Sequence, residues 1–172
     1  VCDAFRANWV FVKVETDGGL HGIGEATLEM SETVVAAAVA DLERHLIGRD
    51  PGDIEAIWQD LYRDNYWKGG AVFMSALAGI EIALWDLKGK ALGVPVYQLL
   101  GGKVRDEVAC YANGWFSGAK TPEEFAAKAG DAIALGFKGL KWDPFASAYM
   151  NLLPEEFRTA FDCIEAVAAA VG

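Results

Sequence analysis

Between Gly69-Gly70 and Gly93-Val94-Pro95 runs a segment, Ala71 to Leu92, that is apolar almost all the way round. A helix without a polar stripe offers no face to water, so it must lie between other elements. The rest of the chain has to supply them.

Upstream, Trp9 to Glu15 (WVFVKVE) is β-branched and aromatic, Asp17-Gly18-Gly19 signals a turn, and Leu20 to Glu25 resumes as a strand. Together these read as a β-hairpin. Ser31 or Thr33 caps a helix to about Leu46, which Gly48-Arg49-Asp50-Pro51 breaks. Asp53 to Tyr62 forms a second helix with Ile54, Ile57, Trp58 and Leu61 on one face, and Asp64 to Gly70 is a loop. Downstream, Val96 to Leu100 is a short helical turn closed by Gly101-Gly102.

The rhythm then changes. Val108 to Ala112 reads as a strand. Thr121 caps a helix with Pro122 at its first position; it runs to about Leu135 and ends at Gly136. Phe137 to Trp142 is a strand, and Pro154-Glu155-Glu156 opens a helix to Val171. Strand, helix, strand, helix at this spacing marks a parallel sheet or barrel. The boundary falls near Arg105, dividing residues 1–105 from residues 106–172. No internal repeat, low-complexity tract or flexible linker interrupts either part.

With 53% hydrophobic and 23% charged residues, the chain can bury a core. A net charge of -10 disfavours binding to nucleic acid or anionic membranes, both of which need a basic face. Cys2, Cys110 and Cys163 are odd in number and form no CxxC pair, so neither a disulfide framework nor a zinc site follows. A reducing cytoplasm is the compartment expected. The start, Val1 to Arg6, is neither a signal nor a transit peptide, and no apolar run is long enough to span a bilayer. Lacking an initiating Met, the chain is expected to miss a few residues at its front. Gly18, Gly19, Gly22 and Gly24 lie in a hairpin, not between a strand and a helix, so they make no dinucleotide fingerprint.

Several sequence words occur in a specific order. They are Glu15–Leu28 (ETDGGLHGIGEATL), Leu46–Pro51 (LIGRDP), the Tyr66-Trp67-Lys68-Gly69-Gly70 loop, and the run from Ala83 through Trp85-Asp86-Leu87-Lys88-Gly89-Lys90. Gly101-Gly102-Lys103-Val104-Arg105-Asp106 closes the series. In this succession the chain resembles the enolase superfamily, in particular the galactonate and mannonate dehydratase branch of the mandelate racemase group. The resemblance implies an α+β N-terminal capping domain followed by the first two βα units of a TIM-like (β/α) barrel that is incomplete in this chain. It further implies acid-sugar substrates, a base that removes the proton next to the carboxylate, a magnesium ion that stabilises the enediolate, and loss of the β-hydroxyl as water. Relatives of this kind commonly form symmetric homo-oligomers. The chemistry explains the metal: a carbon acid beside a carboxylate is very weak, and the second negative charge must be neutralised as it develops.

On that resemblance, Lys141 and Asp143 are the catalytic candidates. They stand two apart at a strand end and point the same way. Many relatives carry Lys-x-Lys here. Lys141 can contact the substrate carboxylate or tune a base, and Asp143 can accept a proton or orient a partner. The blander alternative is a charged pair at the strand rim. The departure from Lys-x-Lys leaves open a base that is a histidine farther along, beyond this chain. Lys138, at odd spacing from Lys141, reads as surface.

Trp67 and Lys68 suit a lid with one positive donor over an acid sugar, against the alternative of a core Trp and a solvated Lys. Glu29, in the other cap loop from Thr27 to Thr33, can bind sugar hydroxyls or simply be solvated. Mannonate dehydratase relatives tend to have Asn there. Tyr111, Asn113 and Trp115 end the first barrel strand on one face. Tyr111 stands where mannonate dehydratases have His, Asn113 is a candidate hydroxyl ligand, and Trp115 is read as barrel-mouth packing.

Trp85, Asp86, Lys88 and Lys90 are read as structural, with Trp85 in the core and Asp86 in a polar contact between cap and barrel. His21 and His45 receive no catalytic role; His45 suits a helix C-terminus.

A complete barrel of this type needs roughly 250 residues. Beyond Lys141 the acids are Asp143, Glu155, Glu156, Asp162 and Glu165, and the last four fall in a helix. No metal ligand is therefore named, and the magnesium ligands are expected beyond residue 172. The segment alone is expected to be inactive and prone to associate. A racemase, epimerase or cycloisomerase on the same scaffold remains open, as does a non-catalytic fragment or binding module.

Overall fold

The computed structural model describes residues 1–2, 8–64, 66–145 and 150–172. Part of the Val1–Arg6 start, and Asn65 of the second cap loop, lie outside the described residues. The chain divides into two compact units, Val1–Val104 and Arg105–Gly172.

In the first unit, β1 (Phe11–Glu15) and β2 (His21–Glu25) pair antiparallel, with Phe11 opposite Glu25 and Glu15 opposite His21. Thr16 closes the turn through backbone bonds with Gly19 and Leu20 (2.9 and 3.0 Å), and Gly19 takes φ +81°. That left-handed conformation suits glycine. Strand alternation buries Val10 and Val12 and turns Phe11 and Lys13 outward.

Three helices follow: α1 (Glu32–Leu42), α2 (Ile54–Asp64) and α3 (Ala71–Leu92). A short α4 (Val96–Leu99) completes the unit. A 3₁₀ turn over Glu43–His45 tightens the end of α1, so the regular helix stops before Leu46. Gly93 at φ +68° ends α3, and Val94 N–H returns to Gly89 O at 2.9 Å.

The core joins Val10, Val12 and Ala26 from the hairpin region to Val35 and Leu42 of α1. It continues through Ile54, Ile57 and Leu61 of α2 to Ala76, Leu77, Ile80 and Leu84 of α3. α3 packs against both strands, α1, α2 and α4, but it is not buried all round: Ile82 stays 49% exposed. The hairpin and the two helices cover a broad stripe of α3, not its full circumference.

Glycine sets how closely hairpin and helix approach. A Cβ on Gly22 would collide with Ala83 O, and one on Gly24 with Gly79 O. A Cβ on Gly79 would sit 2.6 Å from Ala26 Cβ. These glycines therefore let β2 lie directly on the α3 backbone. Polar bonds reinforce the contact. Ile23 N–H donates to Asp86 Oδ2 at 2.8 Å, and Lys90 Nζ donates to the same oxygen at 2.6 Å and to His21 O at 3.1 Å. Asp86, expected to reach across to the barrel, thus finds these partners inside the first unit. The reason is positional: it lies one turn before Lys90, on the side of α3 that faces the hairpin. Trp85 packs against the core and donates to Glu81 Oε1 at 3.3 Å.

The second unit alternates β3 (Ala112–Asn113), α5 (Pro122–Ala134), β4 (Leu140–Lys141) and α6 (Pro154–Val171). β3 and β4 pair in parallel, Ala112 opposite Leu140 and Asn113 opposite Lys141. Both strands are shorter than their sequence patterns. Strand length is set by pairing, and among the described residues each has one partner. Thr121 accepts Glu124 N–H at 3.3 Å while Glu124 Oε2 accepts Thr121 N–H at 3.3 Å, a reciprocal cap that starts α5. α5 packs on α6, burying Ala129, Ala132, Ala160, Cys163 and Val167. Cys163 sits among them, and burial pushes its thiol pKa up.

Candidate functional site

The first unit carries its candidates on two loops. The loop after β2 is pinned where Thr27 Oγ1 accepts Val10 N–H at 3.1 Å and Ser31 N–H donates to Leu28 O at 3.0 Å. Glu29 is exposed on it. Met30, next along, is 97% exposed, adopts φ +63°, and donates its N–H to Glu32 Oε1 at 3.2 Å. That conformation costs a non-glycine residue energy.

The loop after α2 carries Trp67, which is 83% exposed and meets the 85% exposed Tyr66 edge to face at 5.2 Å. Trp67 is therefore not cap core. Lys68 Nζ lies 6.0 Å from the Tyr62 ring, which itself stacks on Trp58 at 5.2 Å. Gly69 and Gly70 take φ +81° and +82° and turn the chain into α3.

Beside this loop lies a pocket of about 220 Å³ lined by Asp41, Leu42, Arg44, His45, Leu61, Asp64 and Tyr66. Arg44 grips Asp41 at 2.6 Å and donates from Nε to His45 Nε2 at 3.0 Å. Sequence reasoning passed over this pocket. Its residues come from the ends of two helices, and no local motif announces them.

In the second unit the strand pair gathers the candidates. Tyr111 and Asn113 are exposed with Ala112 buried between them, as alternation requires. Lys141 lies opposite Asn113, and its Nζ is 5.9 Å from the Tyr111 ring. Gly139 lets Tyr111 sit close, since a Cβ there would be 3.2 Å from Tyr111 Cβ. Asn113 and Lys141 thus lie together at the C-terminal end of the pair, with Tyr111 on the same side just before β3.

Asp143 is exposed, like Lys141, while Trp142 between them is partly buried. Asp143 Oδ1 accepts Phe145 N–H at 3.0 Å, which forms the turn that leaves the strand. Lys138 is exposed.

Behind this edge, Trp115 meets Phe116, Phe125 and Trp142 edge to face at 5.7, 6.2 and 5.1 Å. The Trp142 indole N–H is buried and unpaired among the described residues. Also among the described residues, no three His, Cys, Asp or Glu come together as a metal site, and no helix is long and apolar enough to cross a membrane. The three cysteines are free thiols.

The model of the mandelate racemase / muconate lactonizing enzyme N-terminal domain matches residues 3–101. A D-galactonate dehydratase from Verminephrobacter eiseniae is 57% identical over 64% of this chain and 28% of its own length. A D-gluconate dehydratase from Thermoproteus tenax is 41% identical over 95% of this chain and 33% of its own. A crystal structure from Mesorhizobium loti superposes with a TM-score of 0.95 at 41% identity, covering 99% of this chain and 48% of that one. An enolase from Pantoea ananatis, solved with bound D-gluconate and Mg, gives 0.68 at 38% identity over 78% of this chain and 32% of that one. The chain spans about a third of the length of these curated relatives and about half of the Mesorhizobium chain. Its architecture is an α+β capping domain followed by the first two βα units of a barrel.

Proposed function

Since the chain belongs to the mandelate racemase / muconate lactonizing enzyme family, we propose that it is part of an acid-sugar dehydratase that acts like a galactonate dehydratase. The proposed reaction removes the proton α to a carboxylate and then expels water. The observation that carries this reading is the pairing of Asn113 with Lys141 at the C-terminal ends of neighbouring parallel strands, with the Tyr111 ring 5.9 Å from the Lys141 amine. Barrels of this class place their chemistry there. Similarity to D-galactonate and D-gluconate dehydratases supports the substrate class.

Each residue takes a role its geometry allows. The Lys141 ammonium offers a positive donor to the substrate carboxylate, or in its neutral form a base at the adjacent carbon. Tyr111 provides an aromatic wall beside that amine. The Asn113 side-chain oxygen already accepts Gly114 N–H at 2.9 Å, which leaves its amide to donate to a sugar hydroxyl. Asp143 uses one oxygen for its turn and keeps the other for a proton or a partner. In the cap, Trp67 supplies an apolar lid, Lys68 a second positive donor and Glu29 an acceptor for hydroxyls. Magnesium belongs to the proposal for the whole protein, with ligands beyond residue 172. The described residues offer it no ligand set, and no step is routed through it. The cytoplasm is the proposed compartment.

The test uses protein expressed from its complete open reading frame, with a panel of aldonic acids in deuterated water. Formation of a 2-keto-3-deoxy acid supports the reading. Exchange of the α proton without loss of water would instead make the protein a racemase or epimerase, and binding without exchange would make it a binding module. Lys141→Ala is expected to lower kcat by about 10²- to 10⁴-fold.

A further inference from the structure

β3 and β4 form a parallel ladder, and its bonding pattern can be followed rung by rung. Ala112 N–H donates to Gly139 O at 2.9 Å, with Ala112 opposite Leu140. In a parallel pair the next donor on this side lies two residues on and bonds two residues further along the partner. Gly114 N–H is therefore due on Lys141 O. Asn113 Oδ1 also draws on that N–H, at 2.9 Å, and Gly114 takes φ +74°. Lys141 O receives a second donor, the Trp115 indole Nε1–H at 3.1 Å. A side chain has joined the backbone at the end of the ladder. That side chain is itself held in place by Phe116, Phe125 and Trp142.

We infer that Trp115 is a positioning residue for Lys141. The inference rests on the reading above that Lys141 acts on the substrate. Beyond β4 the chain departs into the Asp143 turn. The indole bond fixes the peptide plane after Lys141 and so fixes the direction in which its side chain leaves the strand, toward Tyr111. The aromatic cluster gives that bond a rigid base, so Lys141 depends on Trp115 for aim and not for chemistry.

The test compares Trp115→Phe, which keeps a ring in the cluster but removes the N–H, with Trp115→His, which keeps a ring donor. Both are made in protein expressed from the complete open reading frame. Trp115→Phe is expected to lower kcat roughly tenfold to a hundredfold with little change in KM, the cost of a misplaced reacting group. Acylation of Lys141, read by mass spectrometry against Lys138 on the same segment, is expected to change in Trp115→Phe and to return toward the original ratio in Trp115→His. This ratio needs no turnover, so it reports the positioning even if Lys141→Ala shows that the lysine is not needed for catalysis. An unchanged ratio in Trp115→Phe overturns the inference. So does a Trp115→His protein no better than Trp115→Phe, because loss of packing alone would then explain both.

Discussion

In the first unit Val35, Ile57, Leu77 and Ile80 are almost wholly buried, and the candidate residues Glu29, Trp67 and Lys68 stand on loops tied to that core. In the second, the buried side chains are Ala129, Ala132, Ala160, Cys163 and Val167 beside Ala112, and Lys141 and Asn113 stand on strands two residues long. The first unit gets its rigidity from burial and lets its loops project. The second has a core of small residues, and side-chain bonds to the backbone hold its strand ends. On the function proposed above, the first arrangement would suit a cap that admits and covers a ligand, and the second a site that aims one amine.

The contrast fails first if the core of the first unit is not dominant. Ile80→Ala removes a fully buried side chain at the centre of α3 and is expected to cost about 4 kcal/mol in denaturant unfolding. A loss no larger than that of Val167→Ala in the second unit would erase the distinction.

Gly24→Ala tests the direct seating of strand on helix. The added Cβ meets the Gly79 carbonyl, a backbone atom that cannot swing aside. The expected cost is about 2–3 kcal/mol. Gly18→Ala is the control: its Cβ would meet only Thr16 Oγ1, at an ordinary 3.8 Å. Equal effects from the two would show that glycine acts through chain entropy and not through close approach.

Thr121→Ala asks how much a single local bond matters in the second unit. Loss of the cap that accepts Glu124 N–H is expected to cost about 1 kcal/mol. Faster hydrogen exchange in the first turn of α5 would show it, while amides of α3 keep their rates.

These differences also mark what the sequence could and could not reveal. The bounds of α3 and α6 coincide with their patterns because Gly69-Gly70, Gly93 and Pro154 are local signals. The common edge of Tyr111 and Asn113 followed from alternation. The short β3 and β4 did not, since strand length depends on a partner elsewhere in the chain. Gly22 and Gly24 were legible only as not being a nucleotide loop, because their role needs the position of α3. The Trp115 bond to Lys141 depends on parallel register across 26 residues, and no window of sequence carries it. Trp67 reads as a lid against the alternative of cap core, and only the tertiary structure shows it 83% exposed.

The smallest expected effect concerns the polar tie between hairpin and α3, and it separates packing from charge in the first unit. The bond from Lys90 holds the Asp86 carboxyl below the usual aspartate range. Partial burial opposes that shift, and the Ile23 N–H adds to it. A folded pKa below the unfolded one means that the stabilisation is complete above the unfolded value, about 3.9, and is lost as pH falls through the folded value. Asp86→Asn keeps an acceptor for Ile23 but loses the charge that holds Lys90. At neutral pH it is expected to cost about 0.5 kcal/mol, since the pair is partly exposed and screened. The difference between the two proteins should shrink with added salt and close as both are acidified below the aspartate range. If it persists there undiminished, Asp86 acts through shape and not charge, and the seating of the hairpin on α3 is a matter of glycine and apolar packing alone.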